Sequence, residues 1–211
     1  MIKRHKTTIL FTTLVTVLPM LAGLLLWNQL PEQIPTNWGL SGEITGYESK
    51  AFCVFFFPLF MAGLHWCCIA MLNWDPKRRN IQDKVVLLLL WMIPLLSLVF
   101  HFMMYAAALN IIVDSSRTLA LVLGILFLLM GNYLPKCQRN YTIGYRIPWA
   151  LEDDENWGKT HRLGGKLAFV GGLLLLASSI VGFFPFFMIT AMVLFLIPVV
   201  YSFLLYRKAQ K

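Results

Sequence analysis

The feature that most constrains this chain is its set of apolar runs, each long enough to cross a bilayer and separated by polar segments. Residues 7–30, 51–74, 85–113 and 119–134 form four such runs, and 167–206 forms a fifth that is too long for one helix. A hydrocarbon core about 30 Å thick takes about 20 helical residues. In lipid only helices and closed barrels satisfy every backbone N–H and C=O, so runs of this length dictate transmembrane helices. The GFFPFF stretch around Gly182 and Pro185 splits the last run into two, which brings the expected number to six. Hydrophobic residues make up 58% of the chain and charged ones 13%, which excludes an ordinary soluble domain. The expected class is an all-α integral membrane protein with six transmembrane helices.

The first run follows Lys3, Arg4 and Lys6, as a signal peptide's apolar core would. It is longer than such a core and has no A-x-A-like cleavage site, so it is expected to stay as a span. Pro19 inside it is tolerable where neighbouring helices re-satisfy the freed carbonyl. If the six spans are threaded in turn, Lys50 and Arg117 fall on one side and the other sixteen of the 18 Lys and Arg on the opposite side. The positive-inside rule then makes the N-terminus and C-terminus cytoplasmic. A net charge of +8 clustered at the ends of apolar runs is a pattern of membrane orientation, and direct binding to nucleic acid is not expected. Cys53, Cys67, Cys68 and Cys137 make no CxxC pair and suit a reduced setting, without a disulfide framework or zinc site.

The long polar passage at 131–162 holds the densest mixture of charge and aromatic rings. Tyr141, Tyr145, Trp149 and Trp157 suit the headgroup layer, so this loop is expected to lie against the membrane, in contact with lipid. Arg146, held between Gly144 and the rigid Pro148-Trp149 step, has a fixed approach for a bidentate acceptor or an aromatic face, or equally for a lipid phosphate. Glu152 to Glu155 should begin a helix, with an i,i+4 ion pair from Glu155 to Lys159. A metal site from Asp154, Glu155 and His161 lacks any HExxH-like spacing and is disfavoured.

His65 and His101 lie inside spans, at depths differing by roughly 12 Å at the helical rise, and are expected as separate hydrogen-bonded neutral residues. Gly164, Ala168 and Gly172 recur every fourth residue, a spacing for close helix packing within the bundle or in a homo-oligomer, and Gly124 and Gly131 share a face of the fourth span. No phosphate loop, G-x-S-x-G elbow or Cys-His nucleophile pattern appears. An enzyme is therefore not expected, and no cofactor is implied. Residues 31–50, punctuated by Pro31, Pro35, Gly39, Gly42 and Gly46, read as a structured loop.

The string GNYLPKCQRNYTIGYRIPWALEDDENWGKTHRLGG resembles the signature of the SdpI-type immunity proteins, small bacterial membrane proteins with GN-x-L-P and G-x-R-x-P-W-x-L motifs. Gly131, Asn132, Asn140, Gly144, Arg146, Pro148, Trp149, Leu151, Glu155, Trp157 and Arg162 carry the resemblance. Residues 30–50 resemble the L-P-x-x-I-P-x-H-W…G…K signature of a short domain often found in front of it, through Pro31, Pro35, Trp38, Gly42 and Lys50. Asn37 stands where that signature has histidine, so no metal or proton role is carried over.

The resemblance implies a multi-pass protein of the bacterial inner membrane that protects its host from a secreted antimicrobial peptide toxin. It also implies a role in some members as a receptor for a cytoplasmic repressor protein. Asn140, Gly144, Arg146, Pro148, Trp149, Glu155, Trp157, His161 and Arg162, with Pro31, Pro35, Trp38, Gly42 and Lys50, are then the expected binding residues. The organisation implied is a membrane region at 1–112 carrying the external loop and a second at 113–211 carrying the cytoplasmic GYRIPW loop. The rival readings are a small membrane transporter or channel, which His65 and His101 would suit, and a metal-dependent membrane enzyme.

Overall fold

The computed structural model describes residues 4–39, 42–181 and 185–210, without the side chains of residues 185–188 and 191. Lys3 and Lys211 of the charge pattern, and Gly182 of the expected break, lie outside the described residues. Among the described residues six helices are long and apolar enough to cross a membrane, as the apolar runs require. The protein is an all-α multi-pass membrane protein, with one small β-hairpin added. Its helices divide into two compact units.

The first unit is Met1–Trp74 with Asp83–Ser115. It contains α1 (Lys6–Leu25), strands β1 (Gln33–Trp38) and β2 (Ile44–Ser49), α2 (Phe57–Trp74) and α3 (Asp83–Ala108). A π-helical turn at Phe52–Phe56 leads into α2. Because lipid tails are as apolar as leucine, buried polar contacts and close packing hold such helices together rather than the hydrophobic effect. His65 of α2 meets Thr12 of α1, Nε2 to Oγ1 at 3.0 Å. Ser97 of α3 donates to the Thr16 carbonyl at 3.0 Å, and Tyr105 donates to the carbonyl of Pro19 at 3.2 Å. His101 donates from Nδ1 to the Ser97 carbonyl at 2.7 Å, so the two intramembrane histidines have different partners. Both are fully buried.

The segment at 31–50 is more regular than a loop. It is an antiparallel hairpin pairing Gln33 with Ser49, Ile34 with Glu48 and Trp38 with Ile44, with irregularities on either side of Asn37. Ile34 and Leu30 plug into Val54, Cys53 and Met104 below, and Trp38 packs edge-on against Phe100 at 5.8 Å. One apolar strand face is thus seated on the helix ends, while β2 stays largely exposed.

The second unit is Asp75–Gln82 with Ser116–Lys211. Its helices are α4 (Ser115–Tyr133), the short α5 (Pro148–Glu152), α6 (Asp154–Val181) and α7 (Pro185–Ala209). Helix α6 begins well before the apolar run at 167, and its start lies in the acidic run as expected. Asp153 Oδ1 accepts the Glu155 N–H at 2.8 Å, and Glu155 pairs with Lys159 at 2.5 Å. The polar first turns of α6 are held by a network in which Asn156 Nδ2 donates to the Ser202 carbonyl at 3.0 Å. Ser202 and Thr160 hydroxyls donate back to Asn156 Oδ1 at 2.6 and 3.0 Å. Against α4, the small-residue face allows near backbone contact: a Cβ on Gly172 would lie 2.8 Å from the Gly124 carbonyl oxygen.

Candidate functional site

The polar passage of the second unit is a built structure. It is organised by Asn140, which is buried and whose Oδ1 accepts the N–H groups of Thr142 and Ile143 at 2.9 and 2.6 Å, forming a side-chain-stabilised turn. Its Nδ2 donates to the Gln138 carbonyl at 2.9 Å. Asp75, from the segment after α2, fixes the same turn from the other side. Its Oδ2 accepts the Tyr141 N–H at 2.9 Å and the Thr142 hydroxyl at 2.6 Å, while Oδ1 accepts the Lys77 N–H at 2.7 Å. Asn80 and Gln82 add bonds to the carbonyls of Arg139 and Lys136 at 2.8 and 3.2 Å.

Gly144 and His161 form the second joint. Gly144 has φ +100°, in the region that favours glycine, and a Cβ there would lie 2.1 Å from His161 Nε2. That closeness lets the Tyr145 N–H donate to His161 Nε2 at 3.0 Å, while His161 Nδ1 donates to the Trp157 carbonyl at 2.8 Å. Both ring nitrogens are thereby engaged and the tautomer is fixed. Trp157 stacks on His161 at 3.9 Å and donates from Nε1 to the Cys137 carbonyl at 2.8 Å. Tyr145 sits over Gly164, where a Cβ would meet its ring at 2.3 Å, and donates to the Leu194 carbonyl at 2.8 Å. Burial pushes the Tyr145 phenol up to about 12. Gly164 thus makes room for a loop side chain, and Gly172 for α4, both within this unit.

Arg146 and Trp149, singled out as a pair by the sequence, part company. The guanidinium is exposed and donates one hydrogen bond, from Nη1 to the Tyr141 carbonyl at 3.1 Å. Trp149 instead packs on α7, with ring centroids 5.3 Å from Phe203 and 6.1 Å from Tyr206. Pro148 is the first residue of α5, where its missing N–H is no loss. Glu155 and Arg162 are exposed, and Lys77 Nζ lies 5.5 Å from the Tyr141 ring centroid. The surface left open carries Arg146, Arg162, Lys77 and the Tyr141 ring, chemistry suited to acidic groups of a protein partner or to lipid phosphates, beside an exposed acidic run from Glu152 to Glu155. The residues of the disfavoured metal reading do not converge. Asp154 pairs with Arg139 at 2.9 Å, Glu155 with Lys159, and His161 is fully engaged. No His, Cys, Asp and Glu cluster able to hold a metal occurs among the described residues.

At the end of the hairpin in the first unit, Lys50 is buried and ties down the turn that follows α1. Its Nζ donates to the carbonyls of Trp27 and Leu30 at 3.3 and 3.2 Å, pairs with Glu32 at 2.9 Å and lies 4.8 Å from the Trp27 ring centroid. Pro35 is buried in β1, Pro31 is exposed, and Gly42 takes a positive φ of 88° in the turn, where its carbonyl accepts the Ser115 hydroxyl at 3.2 Å. Asn37 is exposed, with its side chain over Gly46. Sequence reasoning missed Asp75, Asn80 and Asn156. The loop and helix partners that fix them lie 46 to 67 residues away, and the one available signal was Asp75 at the end of an apolar run.

No solved structure matches the chain. Its sequence is 25% identical over 175 residues to a protein of Bacillus subtilis (strain 168) described as immunity protein SdpI, which covers 81% of this chain and 80% of the relative. A domain of unknown function, DUF1648, matches residues 14–62, the stretch that includes the hairpin. The SdpI/YfhL protein family matches residues 136–202, the stretch that holds the Asn140 turn, the Gly144–His161 joint and the Asn156–Ser202 network. Residues 136–202 of this membrane protein are thus similar to the SdpI/YfhL protein family, and most of the chain is similar to an immunity protein.

Proposed function

We propose that this chain is an immunity protein of the bacterial cell membrane that protects its host from a secreted antimicrobial peptide. The observation that carries this reading is the relative of 25% identity, which is described as an immunity protein and whose match spans both units. The protein is read as a non-enzymatic binding protein with both termini, and the Asn140–Arg162 loop, in the cytoplasm. Charge supports that orientation, and so does the pairing of segments. Within the first unit Arg4 pairs with Asp83 at 2.6 Å, which joins the N-terminus to the start of α3, and within the second Asp75 pairs with Tyr141 and Thr142 and Asn156 with Ser202, which joins the segments after the second and fourth spans to the C-terminal helix. Ser115 pairs with Gly42, which groups the segments after the first and third spans.

The hairpin then faces the arriving peptide, and the Asn140–Arg162 loop faces the cytoplasm. Arg146, Arg162 and Tyr141 offer a surface there for a repressor protein, while Trp149 and Trp157 anchor the loop on its helices. A peptide can alter that surface only by favouring one arrangement of the helices over another. Deletion of this gene in its host, with growth followed in the host's own spent medium, tests the function: sensitivity restored to resistance by the wild-type chain supports it, and indifference to the deletion overturns it. In a variant without native cysteines, an impermeant thiol reagent is expected to label T45C in intact cells and Q138C only after permeabilisation. The reverse pattern overturns the orientation.

A further inference from the structure

In the second unit, α7 runs from Pro185 to Ala209 with Pro198 inside it. Proline has no N–H, so the carbonyl four residues earlier, that of Leu194, loses its helix donor. The proline ring also crowds that carbonyl and makes this the turn at which the helix bends most easily. The Tyr145 hydroxyl takes the missing donor's place, bonding the Leu194 carbonyl at 2.8 Å. Two features aim the phenol at α7. Gly164 of α6 leaves room for the ring, since a Cβ there would lie 2.3 Å from it, and the Tyr145 N–H is held on His161 Nε2 at 3.0 Å. Burial opposes ionisation of the phenol, so the donor keeps its proton. On the other side of Pro198, Asn156 holds Ser202 by its carbonyl and its hydroxyl, and Trp149 packs on Phe203 at 5.3 Å. The loop and the start of α6 therefore grip α7 on both sides of its weakest turn, and of these ties Tyr145 is the one that lies before the proline.

We propose that Tyr145 is a positioning residue that couples the bend of α7 at Pro198 to the placement of Arg146, its neighbour in the chain. Arg146 stands between two fixed points, Tyr145 and the carbonyl of Tyr141, to which its guanidinium donates at 3.1 Å. A change of bend moves the Leu194 carbonyl relative to Ser202. Tyr145 then either follows, and carries Arg146 with it, or lets go and leaves a carbonyl unpaired. Phe195 and Leu196, next to that carbonyl, are exposed, so their side chains do not wedge the helix against a neighbour. The inference deepens the immunity reading, on which the use of the Arg146 surface rests, by naming the helix arrangement that controls that surface. Coupling through one carbonyl is reciprocal: the loop sets the bend as much as the bend sets the loop.

The test uses the full chain in phospholipid nanodiscs and a double-mutant cycle of Y145F and P198A. Hydrogen exchange of residues 141–147, read by mass spectrometry, is expected to speed up about fivefold or more in Y145F, because the Leu194 carbonyl is left unpaired. In P198A the restored backbone N–H satisfies that carbonyl, so adding Y145F should change exchange by less than about twofold. An equal effect of Y145F in both backgrounds overturns the proposal. Spin labels at I180C and I189C, in a variant without native cysteines, report the separation of α6 and α7 on the side of Pro198 away from the loop. Y145F and P198A should each shift that distance, which a merely local tie would not do, and an unchanged distance in both overturns the coupling. Cells expressing Y145F are then challenged with the peptide fraction of the host's medium. Loss of protection at unchanged abundance supports the assignment, whereas full protection by Y145F with a shifted distance overturns it and leaves the immunity reading standing. Exchange and distances that behave as expected, in a protein whose wild type gives no protection, uphold the coupling and remove the immunity reading alone.

Discussion

Replacing Gly144 with alanine tests whether the loop that follows α4 is locked by one joint. The added Cβ would lie 2.1 Å from His161 Nε2, a position no methyl group can share with a ring nitrogen. His161 cannot simply swing aside, because its Nδ1 holds the Trp157 carbonyl and its face is stacked on the Trp157 ring. The backbone must move instead, and with it goes the Tyr145 N–H donation. A non-glycine residue held at a positive φ costs about 1–3 kcal/mol, and a buried acceptor stripped of its donor costs about 1–3 kcal/mol. Destabilisation of the second unit by roughly 2–6 kcal/mol is therefore expected. Gly158, in the same helix as His161, is the control. A Cβ there meets nothing nearer than 3.5 Å, so G158A should gain about 0.5–1 kcal/mol from helix propensity. Unfolding of the purified proteins by SDS titration, followed by tryptophan fluorescence, measures both. Opposite shifts of the midpoint are expected, and a G144A midpoint equal to that of G158A would refute the joint.

Asp75 should matter as much as any residue of the loop itself, since it accepts two hydrogen bonds from the loop and a third from the Lys77 N–H. D75A is expected to lower stability by about 3 kcal/mol and to make residues 137–147 sensitive to limited proteolysis, with D75N intermediate; unchanged proteolysis would contradict its role. Arg146 donates to the Tyr141 carbonyl and is otherwise open. R146K should keep insertion and abundance but lose protection at least severalfold if the planar fork engages a partner, while full protection by R146K would reduce the residue to a lipid anchor. Because Lys50 holds the turn after α1 through two carbonyls and pairs with Glu32, K50M should destabilise the first unit by about 1–3 kcal/mol, measured by the same titration.

The six spans were legible because bilayer thickness imposes a length that apolar runs either meet or fail. The hairpin was not. Pro35, Gly39 and Gly46 break the alternation that marks a strand, and the irregularities around Asn37 shift the register within six residues. The start of α6 was visible in its acidic cap, but not the reason its polar first turns stay buried, because Ser202 supplies that from the next helix. For the loop, Gly144 stood out as a turn former, yet its necessity depends on His161, 17 residues on. Arg146 drew notice for its chemistry, whereas the structure invests its buried bonds in Asn140, Asp75 and His161. Local spacing carries periodicity and caps; it does not carry which distant polar groups meet.

The most direct measurement of the central claim is membrane potential in a sensitive bacterium that expresses this chain, followed by a voltage-sensitive dye during challenge with the purified secreted peptide of its host. The account predicts that wild-type cells hold their potential, that cells with an empty vector depolarise, and that G144A cells depolarise despite detectable protein in the membrane. Depolarisation of wild-type cells at the same peptide concentration as the empty-vector cells, with the protein shown to be inserted, would contradict it.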